Sequence, residues 1–508
     1  MEPTIGVVPS FPRSHPRFYW MIGALLTVAG TIAVMVATSK WGSIVSWDSL
    51  VYLGFASNNA TGKAIGMFCP LFSLILRASE RLGVSGEHAA RYLNGGLFGA
   101  TVALAIAALR RRTQWAWTPI LAGGFVLTSR VLLEQYARVM SDPLALVLGF
   151  FGLAALAHYL ESPRIGWLLL ASAGVGLGLA TRYACLPFLA AGAIALLVRH
   201  GVPMRRRILE AGIFGGLAVV PLASWLIHNL SSAGNAISRE IAFHIPGPET
   251  ARAAVAELST WLLPPRVPGL ARAGFLLVVV AAIAALVRFA QSHHTAPWRS
   301  PLASLLLTFI ACYAIFMVFV TTAVDARVNV STRHWLPVYF AGLLLTVILL
   351  DAPLAARSFR GRRLAILGVA GFLTLSGIFM AGKTYILERD GAEYTRRAMQ
   401  TSVLHKLLEL PFRSRPLYTN DPEAITYLVG AMAKRLPSKF DPHSRKINPT
   451  FDAEMERMGR DLRDRAGLTV RFAGPPTPRY PSVEELEIPR SMQIVAQDET
   501  ATIYGSGL

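Results

Sequence analysis

The chain alternates long apolar runs with short polar breaks, many of them carrying arginine. A helix needs about 17–25 mostly apolar residues to cross the hydrocarbon of a bilayer. Runs of that kind fall near 18–38, 90–109, 114–130, 142–160, 166–182, 183–198, 208–228, 270–287, 301–323, 335–350 and 364–382, which predicts eleven spans. The first is too long for a signal peptide and lacks a small-residue cleavage site, so it reads as an anchor. The stretches 18–39, 143–157, 211–227, 301–324 and 364–382 contain no charged residue or histidine. Ion-driven carriers keep such groups at membrane depth, so clean interiors weigh against a transporter.

Shorter patterns punctuate the spans. In the run from Ser46 to Ala56, Asp48 and Tyr52 are four apart and share one helix face. Its aromatic residues suit a helix lying in the membrane interface. The apolar piece Phe68 to Leu76 is too short to span and reads as interfacial or re-entrant. Residues 383–508 change character and predict a small soluble α/β domain. A helix near 391–409 leads to a strand at Pro416–Tyr418. Asp421 then caps a helix that starts with Pro422 and runs to about Val429. A charged amphipathic helix from Asp452 to Ala466 is closed by Gly467, and strands follow at 468–472, 492–496 and 500–504. The two expected domains are therefore 1–382 and 383–508.

Composition agrees with that division. Of 508 residues 53% are hydrophobic and 16% charged, against about 25% charged in soluble proteins. The net charge of +19 is unevenly placed. Residues 383–508 hold 19 basic and 17 acidic residues, leaving 30 of the 49 basic and 13 of the 30 acidic residues in the apolar part. A nucleic-acid-binding domain would show the opposite split, so no nucleic-acid partner is expected. With the N-terminus in the cytoplasm, the runs Arg110–Arg112, Arg205–Arg207 and Arg360–Arg363 all fall inside, as the positive-inside rule requires. The outer face then receives loops 39–89, 131–141, 229–269 and 324–334 and the C-terminal domain. Cys69, Cys185 and Cys312 lack metal or disulfide spacing and read as small core residues. His293-His294 reads as solvated, and three sequons, at Asn59, Asn229 and Asn329, are short matches without further support.

The candidate chemistry lies on the expected outer face. An acid held at a membrane surface, such as Asp48, can serve as a general base toward a hydroxyl; as a bare signal it reads equally as a helix cap. Its sequence context resembles a family. The segments are Asp48 with Tyr52 and Ala56; Pro70-Leu71; Ala89 to Leu93; Tyr136-Ala137-Arg138-Val139-Met140-Ser141-Asp142-Pro143-Leu144; Gly176 to Tyr183; Thr332-Arg333-His334-Trp335-Leu336-Pro337; and Leu417 to Leu428. Their order and spacing are similar to the GT-C membrane glycosyltransferases, near the protein mannosyltransferases and the lipid A aminoarabinose transferases. Relatives often carry Asp-Glu in the first loop, and here the second position is Ser49.

The resemblance implies a GT-C-like helical bundle with outer interfacial helices. It also implies inverting transfer of a sugar from a polyprenyl-phosphate donor to a lipid, glycan or protein acceptor. Asp48 would be the base. Lys63, Arg138, Arg182 and Arg333 would be the outer cations for the lipid phosphate, since arginine grips phosphate oxygens in pairs. Asp142 would orient a sugar hydroxyl or an arginine, and Tyr52 would meet substrate. A lipid donor accounts for the lack of Walker and GxGxxG motifs. A lone Asp48 does not support the divalent metal that paired acids would hold, and no cofactor is assigned. The motif style implies a bacterial inner membrane with a periplasmic site. Alternatives are a lipid or polysaccharide carrier, an O-antigen ligase or polymerase-like enzyme, and an inactive scaffold of the same fold.

Overall fold

The computed structural model describes residues 16–56, 68–234, 236, 243, 247–292, 300–324, 331–355, 359–392, 402–410, 415–440, 446–473, 479–482, 485 and 492–506. Lys63, His293, His294, Asn59 and Asn329 lie outside the described residues, as does most of the first half of the helix expected at 391–409.

The N-terminal helices are α1 (Pro16–Ala37), α2 (Trp47–Ala56), α3 (Leu71–Arg81), α4 (Gly86–Leu109), α5 (Thr118–Leu127) and α6 (Arg130–Tyr136). They are followed by α7 (Asp142–Glu161), α8 (Ile165–Thr181), α9 (Leu186–Leu197), α10 (Met204–Ala233), α11 (Pro248–Thr260) and α12 (Gly269–Ser292). The apolar part closes with α13 (Pro301–Phe319), α14 (Thr332–Ala355) and α15 (Phe359–Asp390). Among the described residues, eight helices are long and apolar enough to cross a membrane. The three remaining expected spans, near 114–130, 166–182 and 183–198, appear as the shorter apolar helices Thr118–Leu127, Ile165–Thr181 and Tyr183–Leu197. The Arg182 break explains the last two: its extended backbone (φ −155°, ψ 139°) separates α8 from a 3-10 turn that opens α9. The last helix runs on to Asp390, past the expected end at 382.

The chain is an integral membrane protein, and burial shows why. The spanning window of α12 is strongly apolar, yet none of it is buried inside the protein. Water would penalise such a helix on every face, whereas hydrocarbon accepts it. Helices inside the bundle use small residues instead. A Cβ on Gly174 of α8 would lie 3.0 Å from the Gly152 backbone of α7, and one on Gly152 would lie 3.1 Å from Ala171 O. The two backbones touch, which is how helices gain packing where lipid removes the hydrophobic drive. Phe150, Phe188, Phe309 and Phe340 lock α7, α9, α13 and α14 together, with centroids 4.2–5.4 Å apart. Arg91 pins α4 to α1 by donating to Thr38 Oγ1 and Met35 O, each at 2.9 Å.

The C-terminal domain contains α16 (Ser402–Glu409), β1 (Leu417–Thr419), α17 (Pro422–Val429), β2 (Lys434–Arg435), α18 (Phe451–Asp464), β3 (Leu468–Phe472), β4 (Met492–Gln497) and β5 (Ala501–Ser506). The strand order is β2-β1-β3-β5-β4; β1 is parallel to both neighbours, and β5 is antiparallel to β3 and β4. Alternate residues face opposite sides. Leu417 joins Leu404, Leu407 and Ile425 of α16 and α17, while Tyr418 joins Met458 and Leu462 of α18. Asp421 caps α17 as expected, accepting from Ala424 N at 3.0 Å. The left-handed residue after α18 is Ala466 (φ 47°), not Gly467. Gly467 answers a different need, because its Cβ would press Asp461 O and Pro416 O at 3.1 Å. Tyr427 ties this domain to the bundle by donating to Glu87 at 3.2 Å, and within the bundle Trp41 donates to Arg389 O of α15 at 2.9 Å.

Candidate active site

At the end of the bundle facing the C-terminal domain, four charged side chains alternate in sign. Asp48 stands in the first turn of α2 and accepts from Arg333 Nη2 through Oδ2. Arg333 stands in the first turn of α14 and also donates through Nε to Asp142 Oδ2 at 3.2 Å. Asp142 opens α7, and the same oxygen takes Arg182 Nη1 at 2.6 Å. The order is therefore Asp48, Arg333, Asp142, Arg182. All four side chains are largely sheltered, with 9–23% of each exposed. Half-buried charges are costly unless paired, and here each acid meets an arginine. Asp142 and Arg182 are both bound to partners within the cluster.

The backbone around Arg333 is held from three sides. Glu257 of α11 accepts from both Thr332 N and Thr332 Oγ1. Tyr313 donates to His334 O, and Ser331 Oγ pairs with His334 Nδ1 at 2.9 Å. His334 is thus engaged in packing the turn. The helix before it loosens into π geometry at Val320–Val324.

Tyr52 and Ser49 read differently in the structure than in the sequence. Tyr52 is 2% exposed, its hydroxyl pairs with Ser141 Oγ at 2.7 Å, and its ring meets Phe68 and Phe72. It braces α2 against the residue preceding Asp142 and presents no open face to a ligand. Burial pushes its phenol above its ordinary value, so it stays a neutral hydrogen-bonding group. Ser49 is fully buried, accepts from Ser46 N at 2.9 Å and lies 3.6 Å from Met140 Sδ. The place where relatives carry a second acid is a capped, packed position here.

Arg138 is not among the four. It pairs with Glu134 at 3.2 Å, one turn earlier, in a cleft of about 320 Å³ whose wall includes Arg333. Glu134 also meets Lys383 of α15 at 3.1 Å and Arg130 at 3.6 Å. Burial would raise the Glu134 carboxyl, but Lys383, Arg138 and Arg130 outweigh it and hold it below the ordinary carboxylate range. Sequence reasoning missed Glu134, Lys383 and Glu257 as site residues. The four-residue spacing of Arg130, Glu134 and Arg138 was the one available signal.

Among the described residues no group of three or more His, Cys, Asp or Glu side chains could hold a metal ion. The two aspartates do not fit a divalent cation either. Arg333 fills the position between them, and Arg182 completes the charge balance.

A family model described as dolichyl-phosphate-mannose-protein mannosyltransferase matches residues 68–225. No curated protein matches the chain by sequence. Among solved structures, ArnT from Cupriavidus metallidurans in the apo state superposes with TM-score 0.60 at 14% identity, covering 96% of this chain and 97% of that one. The same protein bound to undecaprenyl phosphate gives 0.60 at 14%, covering 96% and 98%. The Archaeoglobus fulgidus oligosaccharyltransferase in complex with Zn and sulfate gives 0.51 at 13%, covering 89% and 68%. The fold of this chain is thus ArnT-like. The arabinofuranosyltransferase AftD from Mycobacteria has a similar fold over 95% of the present chain and 40% of its own, at TM-score 0.50 and 15% identity. Within the helical bundle of this chain, the matched segment 68–225 contains Asp142 and Arg182 but neither Asp48 nor Arg333.

Proposed function

We propose that this chain is a glycosyltransferase that moves a sugar from a polyprenyl-phosphate donor to a lipid, glycan or protein acceptor, with inversion at the anomeric carbon. The observation that carries this reading is the bridging of Asp48 and Asp142 by Arg333 at one end of the bundle. The acceptor hydroxyl oxygen attacks the anomeric carbon as the bond from that carbon to the phosphate oxygen breaks. Asp48 takes the hydroxyl proton. The polyprenyl phosphate leaves with its electron pair, and Arg333 and Arg182 meet the charge that develops on it. In the unliganded state both arginines are neutralised by the aspartates. An incoming donor phosphate competes for Arg333 and thereby releases Asp48 to act as base. Asp142 keeps Arg182 and Arg333 in place, and Tyr52 holds the helix that carries Asp48.

The same reading places this end of the bundle in the periplasm of a bacterial inner membrane. The opposite end carries Arg112, Arg199 and Arg206, paired with Glu161 and Glu210, in the loops where the positive-inside rule puts the cytoplasm. The likeness to the ArnT structure bound to undecaprenyl phosphate supports a lipid-linked donor. Asp48→Asn tests the assignment: transfer from a polyprenyl-phosphate sugar is abolished while polyprenyl-phosphate binding persists. Turnover at the wild-type rate in that variant would remove Asp48 from the mechanism.

A further inference from the structure

Beside the aspartate cluster lies the second group of charges, and its balance is different. Three cations, Arg130, Arg138 and Lys383, converge on the single carboxylate of Glu134 at 3.6, 3.2 and 3.1 Å. Their side chains are only 15–29% exposed. The other acid of the cleft, Glu257, is committed to Thr332. Arg138 Nε is buried with no hydrogen-bond partner. An arginine presents five N–H donors, and one carboxylate cannot satisfy two arginines and a lysine. Partly desolvated cations in excess of their counter-charges are costly, and an anion entering the cleft would relieve that cost. The cleft, at about 320 Å³, is near the lower end of the range for ligand sites, about 300–1,000 Å³. That suits a phosphorylated sugar unit and not a lipid chain.

We propose that the cleft between α6, α11 and the start of α14 is a second anion site, which takes a phosphate group borne on the sugar acceptor. Arg130 and Arg138, which line the cleft, hold the phosphate, while Lys383 meets Glu134 from outside that lining. Arg333 is the shared wall, so an acceptor anchored here has its sugar beside Asp48. The acceptor class rests on the transfer reading given above, whereas the anion site itself does not.

The test uses the full-length protein in detergent, with inorganic phosphate, glucose 1-phosphate and a short-chain polyprenyl phosphate as probes. Binding is read by thermal shift and tryptophan fluorescence. The wild type binds glucose 1-phosphate at least tenfold more tightly than inorganic phosphate, and saturating polyprenyl phosphate leaves that affinity unchanged. Arg138→Gln and Arg130→Gln each weaken glucose 1-phosphate binding at least tenfold and leave polyprenyl-phosphate affinity within twofold. Arg130 opens α6 and Arg138 follows its end, so misfolding of one variant leaves the other to decide. Competition between the two phosphates, unchanged affinity in both variants, or no soluble-phosphate binding by a protein that binds polyprenyl phosphate would each overturn the second site. Equal affinity for inorganic phosphate and glucose 1-phosphate would overturn the acceptor assignment. Variant-sensitive phosphate binding without any polyprenyl-phosphate binding would uphold the anion site and sink the transfer reading instead.

Discussion

Arg333 donates to Asp142 at 3.2 Å across 191 residues of chain, and its remaining fork reaches Asp48. One planar guanidinium thus sets the spacing of two carboxylates. A lysine offers a point charge without that fork. Arg333→Lys should therefore fold yet fail to hold both acids, lowering transfer about a hundredfold or more, the scale seen when one transition-state donor is lost. Steady-state rates with a polyprenyl-phosphate sugar decide it, and a lysine variant within fivefold of wild type would dismiss the bridge.

Asp142 anchors Arg182 and Arg333 together. Removing one partner of a buried ion pair costs about 3–5 kcal/mol because the other charge is left stranded. Asp142→Ala should lower thermal stability on that scale. Asp142→Ala combined with Arg182→Met should cost less than the sum of the two single changes, since the stranded charge is gone. Additive losses in detergent melts would mean that the pair is not coupled.

Most of the bundle was legible because hydropathy is a local property. Among the described residues the eleven runs correspond to eight long helices and three short ones; the short ones are the third run, which is brief in the sequence too, and the fifth and sixth, which adjoin at the Arg182 break. The candidate site was legible as residues but not as geometry. Asp48, Asp142, Arg182 and Arg333 stand on four separate elements, and nothing local in the chain states that they meet. The family resemblance implies that Tyr52 meets substrate. Packing against Phe68 and Phe72 turns its ring inward. Lys383 sat at a presumed domain boundary, and only the continuation of α15 to Asp390 makes it a partner of Glu134.

Ser49 offers a test of the missing second acid. Its hydroxyl accepts from Ser46 N at 2.9 Å at a fully buried position. Ser49→Ala should cost about 1 kcal/mol, the usual net value of one such hydrogen bond. Ser49→Asp should cost more, because its carboxylate would be buried against Met140. It should confer no dependence on divalent ions, since Arg333 already occupies the space between the acids. A metal-stimulated Ser49→Asp variant would reverse that conclusion.

The C-terminal domain carries a pH dependence of its own. Asp498 sits in the turn between β4 and β5 and accepts from Thr500 N and Ala501 N at 2.8 and 3.0 Å, from Thr500 Oγ1, and from Val403 N of α16 at 3.2 Å. Burial would raise its carboxyl, but these hydrogen bonds outweigh burial and hold it at about 2, below its ordinary 3.8. A depressed acid favours the folded form at every pH above its unfolded value, and that contribution fades as pH falls through the folded value. The hairpin and the start of α16 should therefore loosen between about pH 4 and pH 2. Hydrogen exchange of peptides from 492–506 and 402–410, corrected for intrinsic rates, reads this directly in the full chain. Asp498→Asn should start less protected at pH 5 and lose the acid-dependent step. An identical pH profile in that variant would assign the loosening to other carboxylates.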